Sequence, residues 1–243
     1  MKSAVILLSG GLDSSTLLHY VKSELDFKPL HALTIHYGQK HVRETACAVA
    51  QARAAGVEEH RQIDLTFFGE LVATASALTD PATPVPALAT LAPDQLDQPP
   101  TYVPNRNMLF LALAAAYAEA RGIADVFYGA QIQDRYGYWD CTAEFLDRMN
   151  TVLGLNRRQP IVLHAPFIMM RKSEILKIGL DLGVNYAETW SCYRGEAKPC
   201  GVCPSCVERQ AAFEALKIAD PAAGRMTDAG CLMPAPENRK APN

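Results

Sequence analysis

Residues 4 to 15 read Ala4-Val5-Ile6-Leu7-Leu8 and then Ser9-Gly10-Gly11-Leu12-Asp13-Ser14-Ser15. An unbroken apolar run ended by a glycine pair predicts a strand buried on both faces, the habit of a parallel sheet. Leu12, Leu17, Leu18 and Val21 then recur at helical spacing. The glycines therefore occupy a strand-to-helix turn, where backbone N–H groups and a helix N-terminus can meet an anion. Without a Cβ the backbone there approaches that anion closely. Ser9, Ser14 and Ser15 add hydroxyls, and Asp13 suits a magnesium ion on the phosphates. The motif lacks the G-K-[ST] of the Walker loop, so transfer of a γ-phosphate is not implied.

The rest of the chain continues the alternation. Strands are expected at 30–36, 61–65, 125–129 and 161–163, and helices at 42–55, 109–121, 143–153, 172–182 and 207–216. This is the pattern of βαβ units around a parallel sheet flanked by helices, an α/β fold. Residues 76 to 104 carry prolines at 81, 84, 86, 93, 99, 100 and 104. A stretch this long and broken is expected to be an ordered or closing loop over the site. The expected organisation is a nucleotide domain over 1–185, a small metal-binding helical segment over 186–220 and a Pro/Ala-rich tail over 221–243.

A chain of 243 residues with 49% apolar and 20% charged residues can bury a full core. Its net charge of −3 disfavours a polynucleotide partner, which usually meets a basic surface. No apolar run approaches the roughly 20 residues of a membrane span, and Met1-Lys2-Ser3 leads directly into the first strand. A cytoplasmic location is expected. Four of seven cysteines crowd into one segment as C-x7-C-x2-C-x2-C: Cys192, Cys200, Cys203 and Cys206. Thiolates at this spacing read as a closed structural metal site, with zinc or an iron–sulfur cluster both compatible. Cys47 reads as a core residue, and Cys231 has no evident partner.

The S-G-G-x-D-S-S loop resembles the pyrophosphate loop of the N-type ATP-pyrophosphatases. Further segments narrow the resemblance: Tyr37-Gly38-Gln39-Lys40-His41, Tyr102-Val103-Pro104-Asn105-Arg106-Asn107, Gly137-Tyr138-Trp139-Asp140-Cys141, Ala165-Pro166-Phe167, Lys172 and Thr189-Trp190-Ser191-Cys192-Tyr193. In this order they resemble the 7-cyano-7-deazaguanine synthase (QueC-like) family up to about residue 216. The resemblance implies a Rossmann-like, adenine nucleotide alpha-hydrolase-like fold and the cofactors ATP, Mg2+ and Zn2+, and it favours zinc at the cysteines. It implies adenylation of the carboxyl of 7-carboxy-7-deazaguanine, amidation by ammonia and a second activation that dehydrates the amide to the nitrile. Leu8, Ser9, Gly10, Gly11, Leu12, Asp13, Ser14 and Ser15 would hold the phosphates, with Tyr37, Gln39 and His41 lining the nucleotide pocket. Asp13, Lys172 and Arg106 would serve the chemistry. Arg106, Asn107, Asp134, Tyr138, Trp139 and Asp140 would meet the substrate, with Asp140 or Asp134 accepting the N1–H and N2–H₂ donors of the base. Asp140 serves equally as a helix cap before Ala143. The family also admits a homodimer.

Three places depart from the family pattern. Asn105 stands where the motif has glycine, Trp139 and Thr142 stand for proline and arginine, and 131–136 replace a small-residue stretch. The ATP loop and the cysteines match, so the departures concern the acceptor end. They leave open a ligase that stops at the amide or joins the activated carboxyl to another amine, a small molecule or a protein N-terminus. A tRNA-modifying enzyme on the same loop is disfavoured by the lack of a basic lobe.

Overall fold

The computed structural model describes residues 2–40, 43–132 and 137–223. Five parallel strands form one sheet in the order β3-β2-β1-β4-β5. They are β1 (Lys2–Leu7), β2 (Phe27–His36), β3 (Glu59–Asp64), β4 (Asp125–Phe127) and β5 (Val162–His164). The chain steps outward from β1 to β3, then returns to place β4 on the other side of β1. Strand order reverses at that point, and a crevice opens beyond the carboxyl ends of β1 and β4.

The buried run in β1 has the expected cause. Ala4 and Ile6 join an apolar layer on one face, and Val5 joins the layer on the other; all three are inaccessible to solvent. The first layer is closed by α1 (Leu12–Ser23), α2 (Arg43–Ala55), α7 (Lys172–Asp181) and α8 (Pro204–Ala215), through Leu17, Leu18, Ala48, Ile175, Leu176 and Phe213. The second is closed by α5 (Arg106–Ala120) and α6 (Ala143–Leu153), through Leu111, Ala114, Ala118 and Phe145. A third cluster lies at the end of the sheet. It joins Ile35 and Tyr37 to Val85 and Val103 of the proline-rich region, and to Trp190, Cys192, Cys203 and Cys206.

Some boundaries differ from the periodicity. β2 begins at Phe27 because Phe27 already pairs with Lys2 of β1. β4 stops at Phe127, and Gly129 beyond it lies so close to α1 that a Cβ there would be 3.3 Å from the Ser14 nitrogen. α8 starts at Pro204, three residues early, because a proline fits the first helical position where no N–H is needed. The proline-rich stretch is ordered by its own contacts. It contains a 3₁₀ turn at Leu88–Thr90 and α4 (Pro93–Asp97), and it follows the short α3 (Thr66–Leu71). The Ala77 N–H donates to the Pro100 carbonyl at 2.7 Å, and the Leu88 N–H donates to Val202, between two cysteines, at 2.9 Å. Among the described residues no helix is long and apolar enough to cross a membrane. His41, Asp134 and the tail from residue 224 lie outside the described residues.

Candidate active site

The glycine loop is built by close packing. Gly10 has φ +89°, and a Cβ there would fall 2.2 Å from the Glu44 carbonyl oxygen and 2.5 Å from the Ala48 nitrogen of α2. Only glycine lets the loop lie on that helix. The Trp190 N–H donates to the Gly10 carbonyl at 3.0 Å, tying a late segment of the chain to the loop. Ser9 and Ser14 hydroxyls meet at 2.9 Å, and the Gly11 N–H donates to the Ser9 hydroxyl at 3.2 Å. Gly11 is the N-cap of α1 and has no side chain to satisfy the first-turn N–H groups, so the positive end of the helix is left for an anion.

A cavity of about 360 Å³ opens over this loop. Leu8, Ser9, Gly11, Leu12, Asp13 and Ser14 line it at one end. Tyr37 and Gln39 line it after β2, with Arg106, Asn107 and Tyr138 further along and Lys172 beside the loop. Gly10 and Ser15 lie behind the wall: Gly10 packs on α2, and Ser15 is fully buried. Gln39 accepts the Tyr37 N–H at 2.8 Å, which fixes the turn after β2.

Lys172 is the most confined charge in the cavity. It is 7% exposed, with its ammonium 2.7 Å from Glu208 and 3.5 Å from Asp13. Burial pushes the Asp13 carboxyl above the usual range, opposed by Lys172 and reinforced by Glu208. One Asp13 oxygen is buried with no hydrogen-bond partner, which suits a cation that arrives with the phosphates. Glu208 was not singled out from the sequence. The available signal was Pro204, which starts α8 early enough to bring Glu208 onto its second turn.

Two residues expected at the acceptor end are not part of the cavity wall. Asp140 is 1% exposed and is not part of the cavity wall, and its Oδ1 is buried with no hydrogen-bond partner. Its carboxylate accepts the Asn107 N–H at 3.2 Å and so caps α5, while Thr142 caps α6 by accepting the Phe145 N–H at 3.2 Å. Burial raises the Asp140 carboxyl, and Arg106 pulls it back. Trp139 also lies off the cavity. Its indole N–H donates to the Tyr102 hydroxyl at 2.7 Å, and its ring stands edge-on to Phe145. Tyr138 does face the cavity, with its hydroxyl 2.7 Å from that of Thr101. The Asn107 amide donates to the Cys141 sulfur at 3.1 Å, and Arg106 lies over the Tyr37 ring at 5.9 Å. Asn105 adopts φ +54°, the left-handed conformation that a glycine would take. Asn is one of the few side chains that tolerates it, so the backbone of the motif is preserved. Residues of the proline-rich stretch, Leu88, Leu91, Leu96 and Pro99, form part of the wall.

The sulfurs of Cys192, Cys200, Cys203 and Cys206 all lie within 4.8 Å of one another, and Cys200 and Cys206 are 3.9 Å apart. Four sulfurs about 2.3 Å from a central zinc would stand roughly 3.8 Å apart in a tetrahedron, so the group could hold one metal ion. Hydrogen bonds from Cys203 and Cys206 hold the Cys192 thiol well below its ordinary value. Arg209, on the helix that follows, donates to Asp220 at 2.7 Å, to the Thr189 hydroxyl at 2.8 Å and to the Tyr186 carbonyl at 3.0 Å. Cys47 is buried in the third apolar cluster, as expected of a core residue.

The chain as a whole is similar to known proteins. The 7-cyano-7-deazaguanine synthase of Clostridium kluyveri is 42% identical over 229 residues, covering 91% of this chain and 97% of that one. That of Marinobacter nauticus is 41% identical over 221 residues, covering 91% and 96%. That of Methanosphaerula palustris is 43% identical over 221 residues, covering 90% and 97%. Each of these similarities extends over nearly the whole of both chains. The family model for the queuosine biosynthesis protein QueC matches residues 3–217, and the chain belongs to that family.

Proposed function

We propose that this protein converts 7-carboxy-7-deazaguanine to 7-cyano-7-deazaguanine at the expense of two ATP, with ammonia as the nitrogen donor. The observation that carries the reading is the full-length match to 7-cyano-7-deazaguanine synthases, in a chain whose glycine loop, Lys172 and Arg106 line one cavity. A carboxylate oxygen of the substrate attacks the α-phosphorus of ATP, and pyrophosphate leaves. Ammonia attacks the acyl carbon and AMP leaves with that oxygen, giving the amide. The amide oxygen attacks a second ATP in the same way, and loss of AMP with two N–H protons leaves the nitrile.

The work is mostly electrostatic. The N–H groups at the start of α1 and the Lys172 ammonium face the phosphates, where charge grows on the departing pyrophosphate. A divalent cation on Asp13, magnesium in this reading, would screen the phosphates during each displacement. Arg106 and Asn107 lie where the substrate carboxylate or the AMP moiety would sit, and Tyr138 offers a ring to the base. With one Asp140 oxygen bonded to the Asn107 N–H, Asp134 is the other acid that the sequence offers to the donors of the base. Zinc is the ion best matched to four closely spaced thiolates, and with no open position its role is to hold Trp190 and α8 in place.

The test is mass spectrometry of purified protein with ATP, Mg2+, 7-carboxy-7-deazaguanine and ammonium. The nitrile with AMP and pyrophosphate is expected. AMP with amide or adenylate, but no nitrile, would overturn the reading and point to another amine as acceptor.

A further inference from the structure

We propose that Glu208 is a positioning residue for the ATP chemistry: it holds the Lys172 ammonium at the phosphate end of the cavity, nearer to itself than to Asp13. The inference rests on the function proposed above and adds a residue to its machinery. Lys172 begins α7, and its ammonium stands between two carboxylates at unequal distances, 2.7 Å from Glu208 and 3.5 Å from Asp13. A buried ammonium moves to the best carboxylate within reach, because the desolvation cost has to be offset locally. If Glu208 is removed, the nearest carboxylate among the described residues is Asp13, 3.5 Å away. The shift would take the ammonium from the phosphates and neutralise the carboxylate whose second oxygen is buried without a partner. Two groups of the reaction would be lost to each other.

Glu208 is well held for this task. It sits two residues beyond Cys206 on α8, and the adjacent Arg209 is 5% exposed and bonded to Asp220, Thr189 and Tyr186. Helix α8 cannot turn about its axis without breaking that set. Its side chain is 29% exposed and borders the cavity, as does Asp13. The ammonium is thus fixed before ATP arrives, and it needs no reorganisation as the pyrophosphate leaves. A group that works in this way acts on turnover more than on ground-state binding.

The experiment is a kinetic double-mutant cycle on full-length, metal-loaded protein, with Glu208→Leu, Glu208→Gln, Lys172→Met and the Glu208→Leu/Lys172→Met pair. Leucine fills similar volume without an acceptor, and glutamine keeps an acceptor of the same reach. Glu208→Leu should lower kcat on the order of 10- to 100-fold, the scale of a misplacement near 1 Å, with KM for ATP within about threefold. Glu208→Gln should lie between it and the wild type. In the Lys172→Met background, Glu208→Leu should cost less than about threefold more, since both act through one ammonium. Metal content and melting temperature should match the wild type in each variant. Unchanged kcat in the Glu208 variants overturns the proposal, as do additive losses in the cycle or losses that track metal content. If Glu208→Leu does not fold, Glu208→Gln runs the same cycle, and undiminished kcat there overturns it. An inactive wild type would instead refute the proposed function itself.

Discussion

Gly10→Ala tests the packing of the glycine loop directly. Its φ of +89° strains any L side chain, about 1–2 kcal/mol by the usual cost of left-handed backbone. The added methyl would also lie 2.2 Å and 2.5 Å from backbone atoms of α2. Backbone cannot rotate away as a side chain can, so helix or loop must shift, at a typical overpacking cost of about 1–3 kcal/mol. The sum, about 3 kcal/mol, lowers the melting temperature by roughly 6–12 °C for a chain of this size, at about 2–4 °C per kcal/mol. Gly183→Ala separates the two causes. Gly183 has φ +75° but no atom within 4 Å of its would-be Cβ, so only the backbone strain applies, and about 2–8 °C is expected. Thermal melts followed by circular dichroism at one scan rate compare the pair. A Gly10→Ala melt within 2 °C of Gly183→Ala would refute the argument that close approach to α2 is what requires glycine there.

Four further outcomes are expected. Gly11→Ala should melt within about 2 °C of the wild type, because its backbone is extended and its Cβ meets nothing nearer than 3.3 Å; pyrophosphate release should nevertheless fall, since the methyl crowds the phosphates. Asn105→Gly should be neutral or slightly stabilising, whereas Asn105→Val should cost about 1–2 kcal/mol by chemical denaturation, from its left-handed backbone. Asp140→Ala should cost about 1–2 kcal/mol through loss of the α5 cap, and Asp140→Asn should keep most stability and KM for the base; a large rise in that KM would restore a recognition role. The purified protein should carry one zinc by elemental analysis, and Cys203→Ser should lose it along with several degrees of thermal stability, the four thiols lying in the third apolar cluster.

The two kinds of site residue differ in how far they could be read from the chain. Ala4 to Leu8 declares a doubly covered strand because each residue meets a layer, and the cysteines declare a metal group because their spacing alone brings them together. Asp140 has no such local sign. It caps a helix that begins 34 residues earlier in the chain, and only the packing of α5 beside that turn decides whether it faces a base or an N–H. Glu208 is one charge on a helix surface until α8 meets α7. The proline-rich stretch announces a structured loop through its length and composition, yet which of its residues reach the cavity follows from its anchors at Pro100 and Val202.

The Trp190–Gly10 hydrogen bond gives the molecule an order of birth. The glycine loop leaves the ribosome first, while Trp190, Lys172 and Glu208, which complete the same cavity, leave much later. Chains emerge at about 5–20 residues per second, so for some ten seconds or more the nascent protein lacks the part of the wall that those three residues supply. A chain cut before residue 190 loses both the Trp190 tie to Gly10 and Glu208, and it should bind the nucleotide weakly and consume none.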